Sequence, residues 1–383
     1  MPRVLVVCEF ATLNGGERSL LAVLPTLQRG GWQVEFLAPP QGALAESLRS
    51  LGISVVGARD ELPQVLAANR YDLVHGNSLA MALHVGPLAT TAGVPSIGHL
   101  RDIVRLSGPK ISQLNASTRL LAVSSAVRDY HVDQGLDAAK THVQYNGIDL
   151  SNFLPSPLAG EGPGVRGNES SELRKELGLT QNAKLIGLVG QIILRKGQDT
   201  ALAALVPLLK DDPLLNVVIV GERHSEKPET IEFERGLHAV AARERVADQV
   251  HILGTRTDIT TLLPQLNLLL HMARQEPLGR VLLEAAACGV PVVATDVGGT
   301  REIFPRGIAD GAMLVAKDDA EAARDAVKTL LAEPIAARAM GMAGRRRIEA
   351  AFSVEQAAAG LLRHYNETAF GPHEPGCSLA LRD

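Results

Sequence analysis

The sequence predicts an α/β protein built from two Rossmann-like domains, each a doubly wound parallel sheet, facing one another across a cleft. Three observations lead there. Short Val/Leu/Ile-rich runs alternate with helical stretches along nearly the whole chain, and unbroken apolar runs suit parallel strands covered on both faces. The alternation breaks after Tyr145, passes through a Gly/Pro/Ser-dense stretch over 155–171, and restarts. At 383 residues the chain also exceeds what one hydrophobic core usually holds.

In the first half, apolar runs at 4–10, 33–38, 53–56, 72–75, 95–100 and 120–124 are the expected strands. Segments 17–28, 43–50 and 79–91 are the helices between them. In the second half the strands fall at 185–189, 216–220, 250–253, 268–272, 292–295 and 313–315. Helices are expected at 200–210, at 259–266, from near Gly279, and at 320–332, 335–351 and 354–365. The domains are therefore 1–150 and 173–353. Residues 155–171 cannot bury enough apolar surface to hold one conformation and are expected as a flexible insertion, with 371–383 a loose tail.

Composition narrows the function. Hydrophobic residues make up 46% and aromatics 3%, and a formal charge of −4 leaves no electrostatic footprint for nucleic acid. Cys8, Cys288 and Cys377 are too few and too scattered for a disulfide framework or a metal cage, which favours a reducing compartment. Cys8 and Cys288 are expected as small core residues. The apolar run at 4–7 is too short for a signal segment, and no window nears the ~18 apolar residues of a membrane span. The expected location is the cytoplasm. Arg345-Arg346-Arg347 is the one basic turn that could touch anionic lipid at the inner face of a membrane, although such turns are commonly solvated faces.

The most informative stretch runs from Glu276 to Gly299, with Glu276 and Glu284 eight residues apart around Gly279. A helix opening near Gly279 points unpaired N–H groups and a positive dipole end forward, which suits a phosphate. On one helix the two carboxylates would stand about 12 Å apart. That exceeds the ~5–9.5 Å of a hydrolytic pair acting on one sugar bond. One long ligand gripped at two points fits better. Gly190-Gln191-Ile192-Ile193-Leu194-Arg195-Lys196-Gly197 ends another strand with a basic pair placed for a diphosphate. Cations at a helix start oppose its dipole, so they need another reason to be there. Gly15 and Gly16 follow the first strand, and fit either an ordinary tight turn or close approach of an anion. Their spacing is not the dinucleotide fingerprint. Asp211-Asp212 and Asp318-Asp319 read as solvated or capping residues at helix ends, not as metal ligands.

The segments 190–197 and 276–299, with Asn146-Gly147-Ile148-Asp149, resemble the family 4 retaining glycosyltransferases of the GT-B fold. The likeness covers nearly the whole chain and is strongest in the C-terminal half. It implies a metal-independent, cofactor-free transferase that moves a sugar from a nucleotide-diphosphate sugar to an acceptor hydroxyl, in glycan or cell-envelope polysaccharide synthesis. The acceptor is left open among glycans, lipid-linked sugars and small molecules. By that resemblance Glu276, Lys196 and His99 are catalytic, with Glu276 against the sugar and Lys196 neutralising the departing diphosphate. Glu284 would hold the ribose, and Leu278, Gly279 and Arg280 would meet the diphosphate through their backbone. Gly190, Gln191 and Arg195 would line the phosphate site, Gly15 and Gly16 would close over it, and Gly254 would lie near the base. Residues 1–150 would form the acceptor side, and the helix near 354–370 would pack back on it.

Gln191 stands where the family commonly has Arg, and Asn267 and Ala273 replace its usual Asp and Ser. The missing charge at 191 either moves phosphate binding onto Arg195 or marks weakened activity. Two alternatives therefore share the architecture: a GT-B epimerase or phosphorylase, and a nucleotide-sugar-binding protein without turnover.

Overall fold

A computed structural model describes residues 1–153 and 172–371. The chain divides into two compact units, Met1–Gly147 with the chain from Val354, and Ile148–Ser353. The expected insertion at 155–171 and the tail from 372 lie outside the described residues.

The first unit carries a seven-stranded sheet. Its strands are β1 (Arg3–Val7), β2 (Gln33–Leu37), β3 (Ser54–Gly57), β4 (Leu73–Gly76), β5 (Ser96–Leu100), β6 (Arg119–Ala122) and β7 (Thr141–Val143), in the order β3-β2-β1-β4-β5-β6-β7. The second unit carries six: β8 (Lys184–Val189), β9 (Leu215–Val220), β10 (Val250–Ile252), β11 (Leu268–His271), β12 (Val292–Thr295) and β13 (Ala312–Val315), in the order β10-β9-β8-β11-β12-β13. Every pairing is parallel. Both faces of β1 are buried. Val4 and Val6 join Leu20, Leu24 and Leu27 of the helix Gly15–Arg29, while Leu5 and Val7 join Met81 and Val85 of the helix Leu79–Ala92. That two-sided burial is why the strands read as continuous apolar runs.

Strand order reverses direction between β1 and β4 in the first sheet, and between β8 and β11 in the second. Ligands of open α/β sheets bind outside the carboxyl ends of the strands at such switch points. The residues after β8 and after β11 are Gly190–Gly197 and Met272–Gly279. The fold thus brings the two motif segments to one place.

The helix Val354–Phe370 packs on the first sheet. Ala357, Ala358, Leu361 and Tyr365 enter the core that holds Val4 and Val6. Trp32 Nε1 donates to Asn366 Oδ1 at 3.0 Å, and its ring meets Tyr365 edge to face at 5.3 Å. His75 Nδ1 and the Tyr365 hydroxyl are hydrogen-bonded at 2.7 Å.

Some elements differ from the sequence reading. The first strand ends at Val7 rather than at residue 10. The expected helix 259–266 is cut to Ile259–Leu262 and a 3-10 turn Leu263–Gln265, because Pro264 has no N–H to continue it. The helix Pro228–Arg243 buries only Thr230, Leu237 and Ala241, so its apolar period is faint. β7, at three residues, is too short for a periodic signal. Among the described residues no helix is long and apolar enough to cross a membrane. Two of the three arginines in the basic turn are used internally: Arg345 donates to the Phe153 and Ala287 carbonyls, and Arg347 to those of Ile303 and Glu302. Cys8 and Cys288 are buried, and burial pushes both thiols up to about 12.

Burial lowers the His75 pKa to about 3 and that of His364 to about 4, and also depresses His99 and His271. Between pH 7 and pH 5 the unfolded state then binds more protons than the folded one, so stability falls with pH. His75 alone contributes a loss of about 2 kcal/mol by pH 5, reckoned from an unfolded value near 6.5. Calorimetry should show the melting temperature dropping across this interval, and His75→Gln should flatten the slope. An unchanged slope in the variant would contradict the assignment.

Candidate functional site

At the switch point of the second sheet, three side chains meet. Lys196 Nζ donates to Glu276 Oε2 at 2.5 Å, and His271 Nε2 lies 2.7 Å from the same oxygen. Glu276 is 4% exposed and His271 3%. Burial pushes the Glu276 carboxyl upward, but the Lys196 charge and the hydrogen bonds from His271 and Lys196 together outweigh it. The carboxyl is held well below the usual range and is ionised. Burial also keeps His271 neutral, and because the ionised Glu276 oxygen can only accept, Nε2 carries the proton and donates. His271 was not singled out from the sequence. Its only local signal is a histidine ending an otherwise apolar strand.

The loops that hold this cluster pack with no room for a β-carbon. Gly197 has φ +65, and a Cβ there would sit 1.9 Å from the Met272 carbonyl. Gly298 has φ +53, and a Cβ there would sit 1.9 Å from the Glu276 carbonyl. The Gly299 N–H donates to that carbonyl at 2.9 Å. The loops after β8, β11 and β12 are thereby packed backbone to backbone, which fixes the Glu276 main chain.

Gly279 caps the helix Arg280–Ala287 at φ +101, with no side-chain cap hydrogen bond. The helix begins where the sequence placed it. Glu276 lies ahead of it in the loop, so the two glutamates do not ride one helix; Gly279 and the Pro277 step turn the chain first. Leu278 is buried at the loop's end. Glu284 is on the helix, and its Oε1 accepts from Arg280 Nε at 2.7 Å. Arg195, in the 3-10 turn Leu194–Lys196, has no side-chain partner among the described residues, yet its charge reaches His271. The Gln191 side chain is half-buried and equally unpaired among them, while its carbonyl accepts from Gln198 Nε2 at 2.8 Å. Gly190 ends β8 beside the Lys196 stem. Gly254 follows β10, its carbonyl accepting from the Gly221 N–H at 2.8 Å. Asn267 serves in place of an acid: its Oδ1 accepts from the Leu185 N–H at 2.8 Å, a task an amide performs as well as a carboxylate. Of the pair 318–319, Asp319 caps a helix through the Ala322 N–H, whereas Asp318 pairs with Arg274.

The other predicted residues belong to the first unit. Gly15 and Gly16 open the helix Gly15–Arg29, and a Cβ on Gly16 would come within 3.1 Å of Arg101. Glu17, in the helix's first turn, is buried. His99 is 4% exposed and stacks on His75 with ring centroids 5.5 Å apart. Arg101 Nη2 lies 3.1 Å from His99 Nδ1. A guanidinium only donates, so Nδ1 accepts and the proton sits on Nε2. Burial keeps this imidazole neutral, and its covered Nε2 has no partner among the described residues. Arg101 also donates to Asn77 Oδ1 at 2.7 Å and to Asn146 Oδ1 at 2.9 Å. The Asn146-Gly147 step is thus tied to the His99 strand.

Both units have counterparts in known protein families. Residues 13–152 match the family described as Glycosyltransferase Family 4, and residues 169–347 match Glycosyl transferases group 1. The alpha-maltose-1-phosphate synthase of Mycobacterium tuberculosis is 32% identical over 344 residues, covering 82% of this chain and 85% of that protein. The chain is a family 4 glycosyltransferase. The lipopolysaccharide core biosynthesis mannosyltransferase LpsB of Rhizobium meliloti is 30% identical over 230 residues, which is 60% of this glycosyltransferase and 61% of LpsB. The match thus spans about six tenths of that relative's length. In fold, the glycosyltransferase is similar to the Anabaena protein HepE, solved in complex with UDP-glucose, with a TM-score of 0.82 at 22% identity over 95% of this chain and 99% of that one. Its two Rossmann-like parallel sheets are those of the GT-B fold.

Removing Lys196 would strand an ionised, buried Glu276. Lys196→Met should cost about 3 kcal/mol in denaturant unfolding, and adding Glu276→Gln to it should recover most of that loss. Equal stability of the single and double variants would contradict the pairing.

Proposed function

We propose that this glycosyltransferase moves a sugar from a nucleoside-diphosphate sugar to an acceptor hydroxyl with retention at the anomeric carbon. The observation that carries the reading is the buried Lys196–Glu276 pair beside the uncapped helix start at Gly279. A diphosphate fits there: the helix start offers N–H groups and a positive dipole end, and Lys196 and Arg195 add charge. HepE was solved with UDP-glucose, which supports a donor of that class.

The bond from the anomeric carbon to the β-phosphate oxygen breaks, and a bond to the acceptor oxygen forms on the same face of the sugar. The acceptor proton passes to the departing phosphate. Charge develops on that phosphate, so fixed cations stabilise the transition state more than the ground state. Glu276, ionised and facing the sugar, favours its oxocarbenium character. Lys196, Arg195 and the N–H groups near Gly279 supply the positive charge from protein groups, so the reading is metal-independent. Arg195, unpaired among the described residues, takes the place of the charge absent at Gln191. Glu284, now paired with Arg280, would turn to the ribose hydroxyls. Leu278, Gly279 and Arg280 hold the diphosphate by backbone, Gly190 leaves room for it, and Gly254 leaves room for the base. On the first unit, Gly15 and Gly16 offer a second helix start. The His99 Nε2–H, without a partner among the described residues, would donate to a sugar hydroxyl that reached it. We place the protein in the cytoplasm, where buried free thiols such as Cys8 and Cys288 stay reduced.

The second reading, a binding protein without turnover, is favoured by Gln191 alone. A thermal-shift screen against UDP-, GDP- and ADP-sugars should single out one donor by its stabilisation. Release of nucleoside diphosphate with an acceptor then separates transfer from binding. Lys196→Ala should lose far more than tenfold in turnover, where tenfold corresponds to about 1.4 kcal/mol. Survival within tenfold would remove Lys196 from the phosphate role, and tight binding with no release in the wild type would favour the second reading.

A further inference from the structure

Arg274 spends every guanidinium N–H inside the second unit. Nη1 donates to the Leu194 carbonyl at 2.7 Å and to Asp199 Oδ1 at 2.8 Å. Nη2 donates to Asp199 Oδ2 at 2.9 Å and to Thr200 Oγ1 at 3.0 Å. Nε pairs with Asp318 Oδ1 at 2.7 Å. Those contacts account for the five donors an arginine possesses, so none is left for a ligand. The Arg274 backbone N–H adds a sixth bond, to the Arg195 carbonyl at 2.8 Å.

The pattern of partners is specific. Leu194 and Arg195 precede Lys196, and Asp199 and Thr200 follow it, so the turn carrying Lys196 is held on both sides. Arg274 itself lies two residues before Glu276 on the loop after β11. One side chain therefore ties together the two loops whose tips form the Lys196–Glu276 contact. Asp318 reaches Arg274 from a left-handed backbone at φ +63, a conformation that costs a non-glycine residue free energy and persists only where surroundings enforce it.

We propose that Arg274 is a positioning residue for the donor's diphosphate, locking the Leu194–Lys196 turn so that Lys196 keeps its place when a ligand draws it from Glu276. The diphosphate in this statement rests on the function proposed above; the lock does not. Lysine cannot replace it, because a single ammonium cannot fork to two carboxylates, a hydroxyl and a carbonyl at once.

The test combines amide hydrogen exchange with donor turnover in Arg274→Ala, Arg274→Lys and Arg274→Ala/Lys196→Ala. Exchange over residues 190–198 should rise about tenfold or more in Arg274→Ala, and kcat/KM for the donor should fall about a hundredfold. Arg274→Lys should recover less than about tenfold of that loss. The double variant should be within about threefold of Lys196→Ala, because the two residues act through one contact. If Arg274→Ala does not fold, Asp318→Gly suits the left-handed backbone, removes one clamp contact, and should raise exchange over the same segment. Unchanged exchange at 190–198, or losses that multiply in the double variant, would overturn the proposal. A wild type inert towards every nucleotide sugar would instead overturn the transferase reading, and the exchange measurement would still decide the lock.

Discussion

A carboxylate held ionised away from water is the constraint on which the second unit depends. Glu276 is buried by the loops after β8, β11 and β12, and burial alone would neutralise it. It stays charged because Lys196 and the neutral His271 both reach one of its oxygens. Lys196 could not do so if the loops after β8 and β11 were further apart. Gly197 and Gly298 accept positive φ where a β-carbon would strike the Met272 and Glu276 carbonyls, and Arg274 ties the loops from the side. The Lys196–Glu276 pair lies just ahead of a helix start at Gly279 that has no side-chain cap. Under the proposed function, a diphosphate would draw Lys196 from Glu276.

The first unit is organised around polar groups of another kind. His75, His99, Arg101 and Asn77 sit together near the carboxyl ends of β4 and β5, with Arg101 donating to Asn77 and His99 and the two imidazoles stacked. The C-terminal helix closes over them through Tyr365. Its return to this unit is secured by Trp32, which packs on Tyr365 and bonds Asn366. That single tryptophan serves more as a fastening between distant parts of the chain than as part of a local element.

What could be read from sequence was what repeats locally. Parallel strands buried on both faces leave continuous apolar runs, so most strands were located to within a few residues. Glu276, Gly279 and the Arg195-Lys196 pair stand out because each lies at a strand end ahead of a helix, and Glu284 because it follows Glu276 by eight residues. Partners far apart in sequence were not legible. His271 hides in an apolar strand, and Arg274 looks like any loop arginine until Asp199 and Asp318 are brought to it by folding. Asp318 was read as an ordinary helix-end acid because nothing local betrays its left-handed backbone. The pairing of Glu284 with Arg280 sits at helical i,i+4 spacing and is legible in the sequence.

If Lys196 is a diphosphate cation kept in reserve by Glu276, removing the carboxylate's charge should release it. Calorimetric titration of UDP, GDP and ADP into the wild type and into Glu276→Gln addresses this without any acceptor. At least one nucleoside diphosphate should bind the wild type, and the same one should bind Glu276→Gln more tightly, by about tenfold. Weaker binding to Glu276→Gln, or no binding of any of the three to either protein, would contradict it.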